Sequence, residues 1–260
     1  MPVKAPVSIP SPAANWSGFH LGVNAGYGWG GNNAGFTGDG PLGAGNDLIS
    51  RIFDGPLNFN QITRFQSINS QGVVGGVQIG YDGRFARVWV AGVEADFQGA
   101  GLRGSFTRFA PAFPVLFSLN AEQRLNWFGT VRGRLGYLVD DRLLVFGTAG
   151  LAYGQTETNA NFVLGANSSF VGATTAVACV GGAPCLGGRN SAVSAGWTAG
   201  AGAEWTMAEN TSLKLEYLHI GLLNAGLLMT AVAPSTGTAS VTANSHSQFD
   251  IVRVGANFRF

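Results

Sequence analysis

The sequence predicts an all-β fold, eight antiparallel strands wound up and down into a closed barrel that crosses a membrane. Three observations carry this. Eight segments alternate apolar residues with polar residues or glycine at the period of two that belongs to strands. The connections between them alternate between short polar turns and long stretches. The chain is also 46% hydrophobic and only 11% charged, where soluble domains carry about 25% charged residues. Yet it has no run of the roughly 20 apolar residues that a spanning helix needs.

Composition excludes other classes. Glycine is abundant, 40 of 260 residues, but follows no triplet period, so the chain is not collagen-like. A net charge of +1 supplies no basic field for nucleic acid. Residues 1–12 (MPVKAPVSIPSP) are proline-rich and lack the apolar core of a cleavable signal. An exported chain would therefore be numbered from at or near its mature N-terminus. Residues 1–14 are expected to form a periplasmic arm and 15–260 the barrel.

The first segment, 16–30, puts Phe19, Leu21, Val23, Ala25, Tyr27 and Trp29 on one face, with His20, Asn24 and glycines on the other. The second, 70–82, sets Val73, Val77, Ile79 and Tyr81 against Gly72, Gly76, Gln78 and Gly80. The third, 88–98, opposes Trp89, Ala91, Val93, Ala95 and Phe97 to Glu94, Asp96 and Gln98. The fourth, 120–138, opposes Leu125, Trp127, Val131, Leu135 and Tyr137 to Glu122, Arg124, Asn126, Arg132 and Arg134. The fifth, 143–155, is less clean, because Leu144 and Phe146 fall on the polar face. In the sixth, 191–206, Val193, Trp197, Ala199 and Trp205 oppose Ser194, Thr198 and Glu204. The seventh, 211–223, opposes Leu213, Leu215 and Tyr217 to Lys214 and Glu216. The last, 248–260, opposes Val252, Val254, Phe258 and Phe260 to Arg253, Asn257 and Arg259.

Short turns are expected at 82–87, 139–142 and 207–210, and long Gly/Ala/Ser/Asn-rich loops at 31–69, 99–119, 156–190 and 224–247. Short periplasmic turns and long extracellular loops are the pattern of an outer-membrane barrel.

Aromatic spacing decides which face is outside. Phe19 and Tyr27, Trp89 and Phe97, and Trp197 and Trp205 are each eight residues apart, and Trp127 and Tyr137 ten, all on the apolar face. Along strands tilted near 40° this is roughly 20–25 Å of height, matching an apolar band about 25 Å tall edged by aromatic girdles. Trp29 and Tyr217 join those girdles. The opposite parity collects Glu94, Asp96, Glu122, Glu204 and Glu216 with Arg124, Arg132, Arg134, Lys214, Arg253 and Arg259. Facing lipid at mid-depth, each Arg or Lys would cost about 2–4 kcal/mol; facing a narrow lumen, the charges can pair. A soluble lipocalin-like barrel, apolar inside around a ligand, is the weaker alternative.

The final stretch FDIVRVGANFRF, with Phe258 and the terminal Phe260, resembles the C-terminal strand of bacterial outer-membrane proteins. That resemblance implies recognition by the barrel assembly machinery. NWSGFHLGVNAGYGWG (15–30), GVEADFQGAG (92–101), WFGTVRGRLGYL (127–138) and LKLEYLHIG (213–221) resemble the porin-like eight-stranded outer-membrane proteins of alphaproteobacteria, akin to the OmpA membrane domain and OmpX. The family includes surface antigens and some hemin-binding members. The resemblance covers the strands but not the loops, and its motifs speak for architecture rather than activity.

Candidates for chemistry are few. Cys179 and Cys185 (CVGGAPC) are read as a loop disulfide of an oxidising compartment, against free thiols or, for want of nearby ligands, a metal site. His20 has lumen parity. His219 and His246 are read as solvated rim residues, with axial ligation of hemin as the alternative. No spacing joins a nucleophile to a base, so no enzyme, metal or cofactor is expected. The expected role is structural: a barrel plugged by charge pairs that supports the outer membrane and displays surface loops. A narrow porin and a loop-based binder of hemin or a host surface are the alternatives. Expected partners are outer-membrane lipid, lipopolysaccharide and the assembly machinery, not nucleic acid. The sequence does not determine self-association.

Overall fold

The computed structural model describes residues 16–39, 66–112, 115–165, 170–171, 177–237 and 240–260. The expected arm at 1–14 lies outside the described residues, as does much of the stretch 31–69. Eight long strands build the barrel: β1 (Gly18–Asp39), β2 (Gln66–Phe85), β3 (Trp89–Ala112), β4 (Val115–Leu138), β5 (Leu143–Leu164), β8 (Pro184–Ala208), β9 (Thr211–Ala231) and β11 (Ser240–Arg259). Each pairs antiparallel with its neighbours, and β1 closes the ring against β11. Three short strands, β6 (Phe170–Val171), β7 (Val177–Cys179) and β10 (Thr236–Gly237), form a separate small sheet in the order β10-β7-β6.

The alternation read from the sequence becomes the two faces of the wall. Val23, Val77, Val93, Leu135, Leu215 and Val254 point outward and are exposed, whereas His20, Gln78, Glu94, Arg132, Lys214 and Arg253 point inward and are buried. Inward glycines let strands crowd the narrow interior. A Cβ on Gly26 would lie 2.2 Å from the Val252 carbonyl oxygen, and one on Gly150 would lie 2.1 Å from that of Val131.

One end is tied by short turns. Ala86 and Arg87 adopt positive φ (47° and 62°) between β2 and β3. Between β4 and β5, the Asp140 carboxylate accepts the N–H groups of Arg142 and Leu143, both at 2.7 Å. At the other end the strands continue well past the expected loop boundaries. A strand of 22 residues such as β5 rises about 55 Å at 3.3 Å per residue and ~40° tilt, roughly twice the 25 Å apolar band. The stretch 99–119 is paired strand almost throughout, and much of 156–190 and 224–247 extends β5, β8, β9 and β11. Alternation fades there because both solvent and polar neighbours suit the outer face, while backbone pairing needs no alternation.

β4 carries the irregularity that matters most for the site. Its pairing with β5 shifts between Leu125 and Trp127, so Asn126 is an extra residue and the side chains reverse faces across it. Leu125 and Gln123 are buried inside; Glu122 and Arg124 lie partly exposed on the outside.

Candidate functional site

The inward side chains meet across the barrel in layers. At the short-turn end, Trp16 is buried with Val90, Leu138 and Leu144. Its indole N–H donates to the Asp141 carbonyl at 3.1 Å, and its ring lies under the Arg259 guanidinium, 5.0 Å from the ring centre.

The next tier holds two acids and two arginines. Asp82 Oδ2 accepts from Arg259 at 3.0 Å and from Arg134 at 3.4 Å. Glu204 pairs with Arg134, and its other oxygen accepts from Ser212 at 2.5 Å and Asn257 at 3.1 Å. The Arg134 guanidinium also sits 4.0 Å over the Phe146 ring. Phe146 and Leu144, the residues that break the polar pattern of the fifth segment, are thus lumen side chains backing the charges.

The tier beyond holds three acids and three bases. Arg132 reaches Glu94 at 2.5 Å, Glu216 at 2.6 Å and Asp96 at 2.9 Å. Lys214 Nζ donates to both Glu94 oxygens at 2.8 and 2.9 Å. Arg253 spans Glu216 at 2.7 Å and Asp96 at 2.8 Å. His20 stands between the tiers, 3.5 Å from both Asp82 and Glu94. Acids and bases balance within each tier, two against two and three against three. Desolvated charges persist only when paired and hydrogen-bonded, and this arrangement meets that condition at bilayer depth. Above it lies an apolar layer of Val74, Leu102, Leu125, Phe128, Ala152, Leu218, Ile220, Leu222, Phe249 and Ile251.

Several expected positions are therefore corrected. Glu122 and Arg124 are not lumen residues, because the extra residue at Asn126 turns them outward. They bond each other at 2.6 Å and are 40% exposed. Asp82, expected in a turn, is a lumen acid; its shared parity with Gln78 and Gly80 was the available signal. The interior is not wholly polar, and Trp16 and the apolar layer had no signal in two-residue alternation.

Outward, several of the aromatics expected at the girdles pack on neighbouring rings, joined by Tyr81 and Tyr153. Phe19 packs on Tyr81 (centroids 4.9 Å), Trp89 on Tyr137 (5.4 Å), Phe97 on Trp127 (5.5 Å) and Trp127 on Tyr153 (6.2 Å). Tyr27, Trp29 and Tyr217 are likewise exposed, and Trp197 and Trp205 are 50% and 56% exposed. An apolar surface this extensive does not suit water. The family described as outer membrane protein beta-barrel domain matches residues 5–260. The chain belongs to that family.

This outer-membrane barrel is 34% identical over 257 residues to the 31 kDa outer-membrane immunogenic protein of Brucella melitensis, covering 99% of the chain and 89% of the relative. The Brucella suis protein of the same name matches equally. Among solved structures, OprG of Pseudomonas aeruginosa aligns with a TM-score of 0.49 at 10% identity, over 95% of this chain and 99% of that one. The protein resides in the bacterial outer membrane, with lipid against its belt.

The remaining candidates of the barrel stay apart. Cys179 and Cys185 are bonded, with Cα atoms 5.0 Å apart, beside the small sheet. His219 Nδ1 lies 2.8 Å from Asp250, which also accepts from the Tyr217 hydroxyl at 2.5 Å, and its ring packs against Trp197 at 5.2 Å. His246 is exposed on β11. Among the described residues, no group of three His, Cys, Asp or Glu side chains is placed to hold a metal ion. Phe258 and Phe260 stack edge-on at 5.1 Å on the outer wall.

Proposed function

We propose that this protein is a structural barrel of the outer membrane, its lumen plugged, its short turns in the periplasm and its longer connections displayed at the cell surface. The observation that carries the reading is the stack of buried layers. Trp16 lies at one end, two charge-neutral tiers follow, and ten apolar residues stand above them. Ions would have to part buried ion pairs and then enter an apolar layer, both costly. An eight-stranded barrel has an interior only wide enough for its own side chains. The name of the Brucella relatives, immunogenic proteins of the outer membrane, supports surface display. Cys179–Cys185 would brace one displayed connection, and Phe258 and Phe260 would serve recognition by the assembly machinery.

The test is reconstitution into a planar bilayer with conductance recording. No large, steady openings are expected. Stable openings in every preparation would overturn the plugged reading in favour of a narrow porin.

A further inference from the structure

Beyond the belt, the outer wall is not uniformly charged. On the part of the wall past the outer girdle, β1, β2, β9 and β11 carry no Lys or Arg among the described residues; the cations there are Arg103 and Arg108 on β3, Arg124 on β4 and Arg189 on β8. Arg103 and Arg124 stand directly opposite each other across the β3–β4 pair. Like charges in that position destabilise a sheet, and among the described residues no carboxylate lies within ion-pair distance of Arg103. Arg124 pairs with Glu122 at 2.6 Å, and Arg189 pairs with Glu157. Glu122, Arg124, Glu157, Asn159 and Arg189 line an open, outward cleft.

Its height is set by the girdle beneath. Arg124 lies three residues past Trp127, and Glu157 four past Tyr153. At about 2.5 Å of axial rise per residue, this is roughly 8–10 Å above the rings, in the headgroup layer. The shelf below is Phe97 stacked on Trp127, with Tyr153 edge-on to it and the Trp127 indole fixed on Gln155 at 2.8 Å.

We propose that this face of β3, β4, β5 and β8 binds the phosphorylated headgroup of an outer-leaflet glycolipid, lipopolysaccharide. One phosphate sits between Arg103 and Arg124, relieving their repulsion, and Arg189 closes the cleft. Glu122 and Glu157 hold the guanidinium groups toward it. Arginine forks match phosphate geometry in paired hydrogen bonds. The aromatic shelf takes the apolar base of the same molecule. The proposal rests on the orientation given above, with this end of the barrel outside.

The test uses the full chain refolded in zwitterionic detergent, with complex formation read by native mass spectrometry. The probes are lipopolysaccharide, the same lipopolysaccharide enzymatically dephosphorylated, phosphatidylglycerol and inorganic phosphate. The expected result is that Arg103→Gln/Arg124→Gln weakens lipopolysaccharide binding about tenfold or more, the loss of one to two charge-assisted contacts. Dephosphorylation should weaken the wild-type protein as much and the double variant no further. Arg84→Gln/Arg87→Gln, in the short turn, should bind as wild type. Arg103→Gln alone should raise the unfolding midpoint of the lipid-free barrel, which a merely structural arginine would not do. Equal binding by the double variant, indifference to dephosphorylation, or equal binding of phosphatidylglycerol or inorganic phosphate overturns the proposal. Surface labelling of whole cells tests orientation separately: short turns labelled from outside would refute the orientation while leaving the micelle result standing.

Discussion

Replacing Arg132 with methionine tests what the paired charges do for the barrel. Arg132 is buried and reaches Glu94, Asp96 and Glu216 within 2.9 Å. Methionine keeps much of the apolar stem and removes the guanidinium. Three carboxylates then share Lys214 and Arg253, and a neutral tier becomes a buried net charge of −1. Removing one partner from a buried pair costs about 3–5 kcal/mol, more than most single substitutions. With a urea slope near 2 kcal/mol/M, the midpoint should fall by roughly 2 M. The assay is reversible urea unfolding of the refolded barrel in phospholipid vesicles, followed by tryptophan fluorescence and by the heat-dependent shift of the folded band on gels. A second variant separates charge from shape. Asp96→Asn alone leaves its tier at +1 and should destabilise; in the Arg132→Met background it restores neutrality and should recover part of the loss. If Arg132→Met costs less than about 1 kcal/mol, or Asp96→Asn harms both backgrounds equally, charge balance is not what holds the lumen together.

Two further substitutions probe the walls and the short-turn end. Gly150→Ala places a Cβ 2.1 Å from the Val131 carbonyl oxygen and 2.6 Å from Arg132 Cα, whereas Gly147→Ala meets only the Gly200 oxygen at 3.8 Å. The first should cost about 1–3 kcal/mol through forced backbone shifts and the second close to nothing, compared by the same unfolding curves; equal costs would refute the close-approach account. Trp16→Ala should lose about 3–5 kcal/mol by emptying a buried aromatic site. Trp16→Phe, which keeps a ring against Arg259 but loses the donor to Asp141, should lose about 0.5–1.5 kcal/mol. A Phe variant as unstable as the Ala variant would show that the hydrogen bond rather than the packing dominates.

The wall of the barrel was legible residue by residue, because lipid on one side and a crowded interior on the other impose a strict two-residue period. Trp89, Val93 and Phe97 had to face outward, and Glu94 and Asp96 inward. That logic fails where the environment stops alternating or the backbone breaks step. One extra residue at Asn126 carried Glu122 and Arg124 from the lumen to the outer wall, and period-two patterning holds no record of a bulge. The long Gly/Ala/Ser/Asn stretches resembled loops because strands standing in water on their outer face need no apolar partner there. Leu218, Ile220, Phe249 and Ile251 share the parity of the charges, so parity alone could not foretell an apolar layer above them.

Composition and alternation by themselves determined the class of the molecule: a strand-built wall, apolar outside, ionised within, in an outer membrane. Which acid meets which base was decided only by closure of the ring. Closure brings Glu94 of β3 to Lys214 of β9 and Asp96 to Arg253 of β11, pairs 120 and 157 residues apart. Register and barrel stagger set such contacts, and both belong to the whole cylinder rather than to any strand.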